Sequence, residues 1–154
     1  MGLYLEDFTV GAEFRSPGRT ITEHDVMAFA GLSGDFNPAH TDHEYARASD
    51  FGRPIAHGLL ALIVSAGLAD RDGSSDGTNL ALLGLSWRFA KPVFFGDTLR
   101  VKLTVKSVRR TSRGDRGVLV RDVEVTNQHG EVVQAGEITT MMKARTPPAP
   151  PSPA

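Results

Sequence analysis

The sequence predicts an α+β domain in which an antiparallel β-sheet wraps around one long central buried helix. Two observations carry this prediction. From residue 59 to residue 69, nine of eleven residues are apolar, and they are distributed over all sides of the predicted helix. This is typical of a helix buried on most sides. In the second half of the chain, four segments alternate apolar with polar residues, which is typical of strands with one buried face.

The helical half of the chain comes first. A strand is expected over Glu13–Thr20, followed by a helix that begins at the capping box of Thr22 and Asp25 and runs to about Gly31. Its inward residues should be Val26, Phe29 and Ala30.

The segment between this helix and the central helix is rich in turn-forming residues. Residues 31–38 contain Gly, Asn and Pro, which predict an ordered turn or loop rather than more helix. A short helix is expected over Asp42–Ala48, and the central helix over Ala56–Ala69. The loop and the start of the central helix are therefore expected to lie close along the chain.

The strand half begins after the central helix. Turn-forming residues separate the predicted strands, and such short connections favour antiparallel pairing of consecutive strands. Trp87 is expected in the core. The predicted strands are Leu80–Ala90, Asp97–Arg110, Val118–Asn127 and Glu131–Lys143.

Length and composition limit the possible classes of protein. A chain of 154 residues forms one domain, here residues 3–145, because residues 146–154 hold five of the nine prolines and are predicted to be a disordered tail. The absence of Cys excludes disulfides, a cysteine nucleophile and thiolate metal sites. No secretory signal or bilayer-length apolar segment is present, which predicts a cytoplasmic protein without membrane attachment.

Charge is nearly balanced overall but not along the chain. The net charge of −1 argues against a nucleic-acid binder. Residues 1–76 hold 12 acids and 5 bases (−7), whereas residues 77–154 hold 6 acids and 12 bases (+6). The eight Lys and Arg residues from Arg100 to Arg121 are either a solvated strand face or a basic patch for an anionic ligand, and composition leaves both open.

The loop of residues 34–42 carries the first candidate chemistry. Asp35 and His40 flank Pro38 and could hold one water molecule between a carboxylate and an imidazole, filling acid and base roles. Asn37 could bond the loop backbone or a ligand carbonyl. The alternative is purely structural, with Asx turns at Asp35 and Asn37 and a packed His40.

The start of the central helix carries the second candidate. The backbone N–H of Gly58 is one of the unpaired donors of a first helical turn, and it would suit a carbonyl oxygen that gains negative charge. Close packing is the structural alternative. A metal site from His40, Asp42, His43 and His57 is disfavoured by the spacing, and Ser65 is expected to be a core serine bonded to the preceding turn rather than a nucleophile.

Three ordered motifs resemble the MaoC-like dehydratases, the (R)-specific enoyl-CoA hydratase branch of the hot-dog fold. Residues 29–46 (FAGLSGDFNPAHTDHEYA) are similar to that family's hydratase motif. Residues 51–58 (FGRPIAHG) match the segment that enters its central helix, and residues 86–97 (SWRFAKPVFFGD) resemble the strand and turn that follow.

This resemblance implies a fold and an activity. The fold would be the hot dog, with Asp35 and His40 as the catalytic pair that activates water and Gly58 as the residue whose N–H binds the thioester oxygen. The reaction would be reversible addition of water to a trans-2-enoyl-CoA, giving an (R)-3-hydroxyacyl-CoA without cofactor or metal. The expected assembly is a homodimer or higher homo-oligomer with sites at its interface.

The resemblance also leaves substrate contacts and function classes open. Substrate binding is assigned to Asn37, His57, Ser65 and Ala66, although Ala66 stands where some members of the family have serine. His43 and Ala39 also depart from the usual motif. An acyl-carrier-protein thioester could replace acyl-CoA as substrate. The alternatives are a hot-dog acyl-CoA thioesterase and a non-catalytic module that binds acyl-CoA or an acyl carrier.

Overall fold

A six-stranded antiparallel sheet curves around one central helix in the computed structural model, which describes residues 2–71 and 73–145. The strands are β1 (Glu13–Arg15), β2 (Arg19–Thr20), β3 (Asn79–Phe89), β4 (Thr98–Arg110), β5 (Arg116–Thr126) and β6 (Val132–Lys143). The helices are α1 (Glu23–Ser33), α2 (Pro38–Thr41), α3 (His43–Ala48) and α4 (Gly58–Asp70), preceded by a 3₁₀ turn at Leu5–Asp7. The predicted α+β class is confirmed, and the predicted tail at 146–154 lies outside the described residues.

The order of strands across the sheet is β1-β4-β5-β6-β3, with β2 also paired to β4. The expectation that consecutive strands pair is therefore correct for β4, β5 and β6 but wrong for β3, which pairs with β6 at an edge. After β3 the chain crosses to β4, and on the way Val93 O accepts a hydrogen bond from Ala56 N–H. This crossing segment supports the backbone just before α4.

The core lies between α4 and the concave face of the sheet. Leu60, Val64 and Leu68 of α4 are at most 5% exposed, and they pack in one cluster with strand residues such as Leu99 and Val125. Burial of each such side chain contributes about 1.5–3 kcal/mol. Within residues 2–71 and 73–145, no helix is long and apolar enough to cross a bilayer.

Burial of α4 is less complete than its composition predicts. Leu59 and Ile63 are 60% and 49% exposed, and Ala66 and Gly67 continue the same exposed face. In a single chain this helix is therefore buried on the side of the sheet and open on the other. An apolar face of this kind is typical of a surface that meets another protein surface.

The N-terminal elements differ from their prediction in two places. The expected first strand is interrupted at residues 16–18, which include Pro17, and so forms the two short strands β1 and β2. Helix α1 begins at the predicted capping box but continues past Gly31 to Ser33, and ends where Gly34 takes φ 78°. Its inward residues Val26 and Ala30 are fully buried, as expected.

The capping box of α1 makes a pH-dependent contribution to stability. The Asp25 carboxylate accepts hydrogen bonds from Thr22 N–H and Oγ1, both at 2.9 Å, and from Arg19 at 2.7 Å. Burial opposes ionisation of Asp25, but the Thr22 donors and the Arg19 charge outweigh it and lower the pKa of this carboxyl. A lowered pKa contributes stability above the ordinary aspartate pKa, and the contribution is lost as pH falls through the folded-state value.

Replacing Asp25 by Asn should therefore cost stability at neutral pH. We expect a loss of about 1 kcal/mol in the free energy of unfolding near pH 7. The difference from wild type should shrink as pH falls below about 3.9. Urea unfolding at fixed protein concentration measures it, with the exposed Asp50→Asn as the control. If wild type and Asp25→Asn differed in free energy of unfolding by the same amount near pH 7 and below about pH 3.9, this account of Asp25 would be contradicted.

Candidate active site

The loop that carries Asp35 and His40 is folded by its own side chains. The carboxylate of Asp35 accepts a hydrogen bond from Asn37 N–H at 3.2 Å, and Asn37 Oδ1 accepts one from Ala39 N–H at 3.0 Å. Asn37 thereby caps α2, a short helix with Pro38 at its first position. This helix was expected to be part of the loop. The Asx turns considered as the structural alternative are present, and they present Asp35 and His40 on one side of the loop.

Ile55 clamps this loop from the segment before α4. Its N–H donates to Ala39 O at 3.2 Å, and its carbonyl oxygen lies 2.8 Å from His40 Nδ1. A backbone carbonyl can only accept, so Nδ1 of His40 carries the proton in this contact. In neutral His40, Nε2 is then the unprotonated nitrogen, and it is able to accept a proton.

His57 joins the other end of the loop to the start of α4. Its Nε2 donates to the backbone carbonyl of Asp35 at 2.9 Å, and its ring lies 3.8 Å from the His40 ring and 4.9 Å from the Phe29 ring, between centroids. The side chain is 2% exposed. This burial does not fit the predicted direct contact of the His57 side chain with substrate, and its contacts are those of a residue that fixes the loop.

Asp35, His40 and His57 form one compact cluster. A carboxylate oxygen and one nitrogen of each ring lie within 4.8 Å of one another. Asp35 is exposed and His40 is half-buried, so a water molecule can reach both. The same three groups could hold a divalent cation, whereas Asp42 caps α3 and His43 lies 2.9 Å from Glu23, outside the cluster.

Gly58 is the first residue of α4, with His57 as the N-cap. The first backbone bond of the helix runs from Ala61 N–H to His57 O, and no acceptor is found for the Gly58 N–H in the described part of the chain. A Cβ atom at this position would lie 3.0 Å from the Phe89 ring. Gly58 therefore has the unpaired N–H that the sequence predicted, and it is also closely packed, against Phe89 of β3.

Two cavities flank the N-terminal half of α4. One, of about 310 Å³, is lined by Gly58, Phe51, Phe89, Lys91 and Gln134 among others. The other, of about 340 Å³, is lined by residues of α1 and α4. An extended apolar ligand could therefore lie along either side of this part of α4.

Ser65 and Ala66 lie away from both cavities. Ser65 is 1% exposed and donates to Ala61 O at 2.7 Å, which is the core role considered for it from the sequence. Its burial does not fit the predicted contact with substrate. Ala66 lies on the exposed face of α4, where its predicted contact would need a ligand or partner on that face.

The basic stretch is largely neutralised by neighbouring acids. Lys102 pairs with Glu124, and this hydrogen bond raises the pKa of Lys102. Lys106 lies 2.5 Å from Glu137, and Arg110 contacts Glu6. The interpretation as a solvated strand face fits these pairs better than the basic patch for an anionic ligand does.

Sequence reasoning missed the residues that hold the site from behind. Ile55 acts only through its backbone, which leaves no signal in residue type. Gln134 bonds Gly58 from the sheet and is itself bonded by Trp87, and Gln134 is an isolated polar residue in a strand whose neighbours are mostly apolar. That isolated polar residue is the signal that could have marked the position.

Comparisons with known proteins show the family of the chain. Residues 7–129 match the family described as MaoC like domain. The (R)-specific enoyl-CoA hydratase of Rhodospirillum rubrum is 36% identical over 143 residues, which cover 92% of this chain and 93% of the relative. These matches include both the loop of Asp35 and the start of α4.

Solved structures share the fold over nearly the whole chain. The structure described as a monoamine oxidase regulatory protein from Archaeoglobus fulgius has a TM-score of 0.85 and 34% identity, covering 93% of this chain and 95% of that one. The protein RV0216 of Mycobacterium tuberculosis, described as a double hotdog fold, has a TM-score of 0.80 at 21% identity. The match to RV0216 covers 99% of this chain and 47% of RV0216.

Proposed function

The chain belongs to the MaoC-like dehydratase family and has the hot-dog fold, and from this premise we propose that it is an (R)-specific hydratase/dehydratase of acyl-CoA thioesters. The observation that carries the proposal is the cluster of Asp35, His40 and His57 beside the first residue of α4. The reaction adds water to a trans-2-enoyl-CoA or removes it from an (R)-3-hydroxyacyl-CoA. Water and the thioester are the only reactants, so no cofactor is needed.

The proposed mechanism assigns each step to a group in the cluster. A water molecule held by Asp35 and His40 attacks C3 of the enoyl thioester, while one member of the pair accepts a proton from it. Electrons of the C2=C3 bond shift toward the thioester oxygen, where the Gly58 N–H stabilises the developing charge. The pair returns a proton to C2, so that hydroxyl and hydrogen are added with no net change in the enzyme.

The backbone bonds of the site support this assignment. Because Ile55 O holds the Nδ1 proton of His40, the neutral ring keeps Nε2 free to accept the proton of water. The Asp35 backbone is fixed by His57, so that its carboxylate remains beside His40. Hydration needs one group to accept the proton of water and a group to return a proton to C2, and Asp35 and His40 can fill both roles. Hydrolysis of a thioester involves no protonation at C2, so the presence of both groups favours hydration.

Two substitutions test the roles of the catalytic pair. Asp35→Asn and His40→Ala should each lower kcat for hydration of crotonyl-CoA by at least about 100-fold, since each removes a proton-transfer group. Loss of the conjugated thioester's absorbance measures the rate. Asp50→Asn and His129→Ala, which make the same chemical changes at exposed positions, should retain wild-type rates.

The absorbance assay, a thiol assay for free CoA and a binding measurement together separate the competing functions. Full activity in Asp35→Asn or His40→Ala would contradict the mechanism. Release of free CoA from a saturated acyl-CoA would identify a thioesterase. Binding of enoyl-CoA without turnover by the wild type would identify a non-catalytic module, and parallel assays with acyl-carrier-protein thioesters would define the carrier.

A cytoplasmic location stays a prediction.

We also propose that two copies of the chain pair through strand β3. This strand lies at the edge of the sheet and exposes Leu82, Leu83 and Leu85 by 64%, 50% and 46%. An open apolar edge favours pairing with another strand. RV0216, which has about twice the span of this chain, is described as a double hot dog.

Charged residues on the β3 edge should separate the copies. Light scattering should give wild-type protein a mass of at least twice the 16.6 kDa of the chain. The double substitution Leu83→Lys and Leu85→Lys should lower the measured mass to that of a single chain, because two paired copies would bury four unpartnered charges. Val10→Lys, at a 63% exposed turn residue, should leave the mass unchanged. A monomeric wild type would overturn this part of the proposal.

A further inference from the structure

Gln134 is a buried polar residue of β6 whose contacts converge on Gly58. Its side chain is 1% exposed, and Nε2 donates to the backbone carbonyl of Gly58 at 2.9 Å. Its Oε1 accepts the indole N–H of Trp87, also at 2.9 Å. A fully buried amide with a partner at each end is held in one orientation.

The chemistry of the partners fixes which end of the amide faces Gly58. An indole N–H can only donate and a backbone carbonyl can only accept. The amide oxygen must therefore face Trp87, and the amide nitrogen must face Gly58. Rotating the amide by half a turn would place two donors together at one end and two acceptors at the other.

The residues around this amide are themselves closely packed. Trp87 lies over Gly136 of the neighbouring strand, where a Cβ atom would come within 2.4 Å of the indole ring. Phe89, two residues farther along β3, lies against the Cα of Gly58. Gly58 is thus held by the Gln134 hydrogen bond and by the Phe89 ring, with Trp87 fixing Gln134 from behind.

We propose that Gln134 is a positioning residue that fixes the Gly58 backbone, so that the Gly58 N–H keeps its direction toward the thioester oxygen. Trp87 acts one step farther away by orienting the Gln134 amide. This inference rests on the proposed hydratase function for the role of the N–H, and on the contacts alone for the link to Gly58. A donor aimed in advance at the developing charge accelerates the reaction, and a small displacement of it is costly.

Three substitutions test the link. Gln134→Met keeps the volume but removes both hydrogen bonds, and it should lower kcat for crotonyl-CoA hydration by about 10-fold to 100-fold with KM changed by less than about threefold. Trp87→Phe keeps a ring over Gly136 and should give an intermediate loss. Gln128→Met is the matched control, since this exposed glutamine also bonds at both ends, to Thr98 and Asp97.

Gln134→Glu adds a signature that a merely structural role would not produce. A protonated carboxyl group can donate to Gly58 O and accept from Trp87 as the amide does, whereas the ionised form can only accept. The activity of this variant relative to wild type should therefore rise as pH is lowered. A pH-independent ratio, or wild-type kcat in folded Gln134→Met, would overturn the proposal.

The Gly58 amide resonance gives a readout that does not depend on turnover. In ¹⁵N–¹H spectra it should shift in Gln134→Met and stay in place in Gln128→Met. If wild-type protein hydrates no enoyl-CoA, the proposed function fails. The link between Gln134 and Gly58 is tested separately, because a Gly58 resonance that does not move in Gln134→Met would overturn it. If Gln134→Met does not fold, Trp87→Phe and Gln134→Glu carry the same kinetic and spectral tests.

Discussion

The clamp that Ile55 and His57 place on the loop of Asp35 is the constraint on which the rest of the site depends. Ile55 binds the loop through both of its backbone groups, and His57 binds the carbonyl of Asp35 itself. Three hydrogen bonds thus join a surface loop to the segment that enters α4. The Asx turns shape the loop itself, and these three bonds fix its position relative to the start of α4.

The sheet supplies the second half of this constraint. Val93 in the crossing segment bonds Ala56, and Gln134 in β6 bonds Gly58, so the chain is anchored on both sides of His57, to the crossing segment before it and to the sheet after it. Burial of one face of α4 fixes the helix axis, and these bonds fix where the helix begins. The site therefore combines rigid backbone positions with an exposed Asp35 and a half-buried His40, an arrangement suited to a ligand that enters from solvent.

The sequence predicted what depends on local patterns and missed what depends on distant backbone groups. The capping box of Thr22 and Asp25 and the alternation in β4 are local, and both predictions were confirmed. The apolar composition of α4 correctly predicted a helix but overestimated its burial within one chain. The place of β3 beside β6 depends on a crossing connection, which strand patterns do not encode. The buried positions of His57 and Ser65 likewise follow from packing against neighbouring elements, and this burial does not fit the substrate contacts that were assigned to them with the family resemblance.

The most direct test of the hydratase account is the product formed from crotonyl-CoA in deuterium oxide. Because the proposed activity is that of the (R)-specific hydratase to which the chain is similar, the account predicts 3-hydroxybutyryl-CoA of the (R) configuration at C3. Because the proposed pair adds water and returns a proton from one face, the account also predicts a single deuterium at C2, on the same face as the new hydroxyl. Chiral analysis and NMR of the product measure both. An (S) product, deuterium spread over both C2 positions in the first turnover, or free CoA as the product would contradict the account.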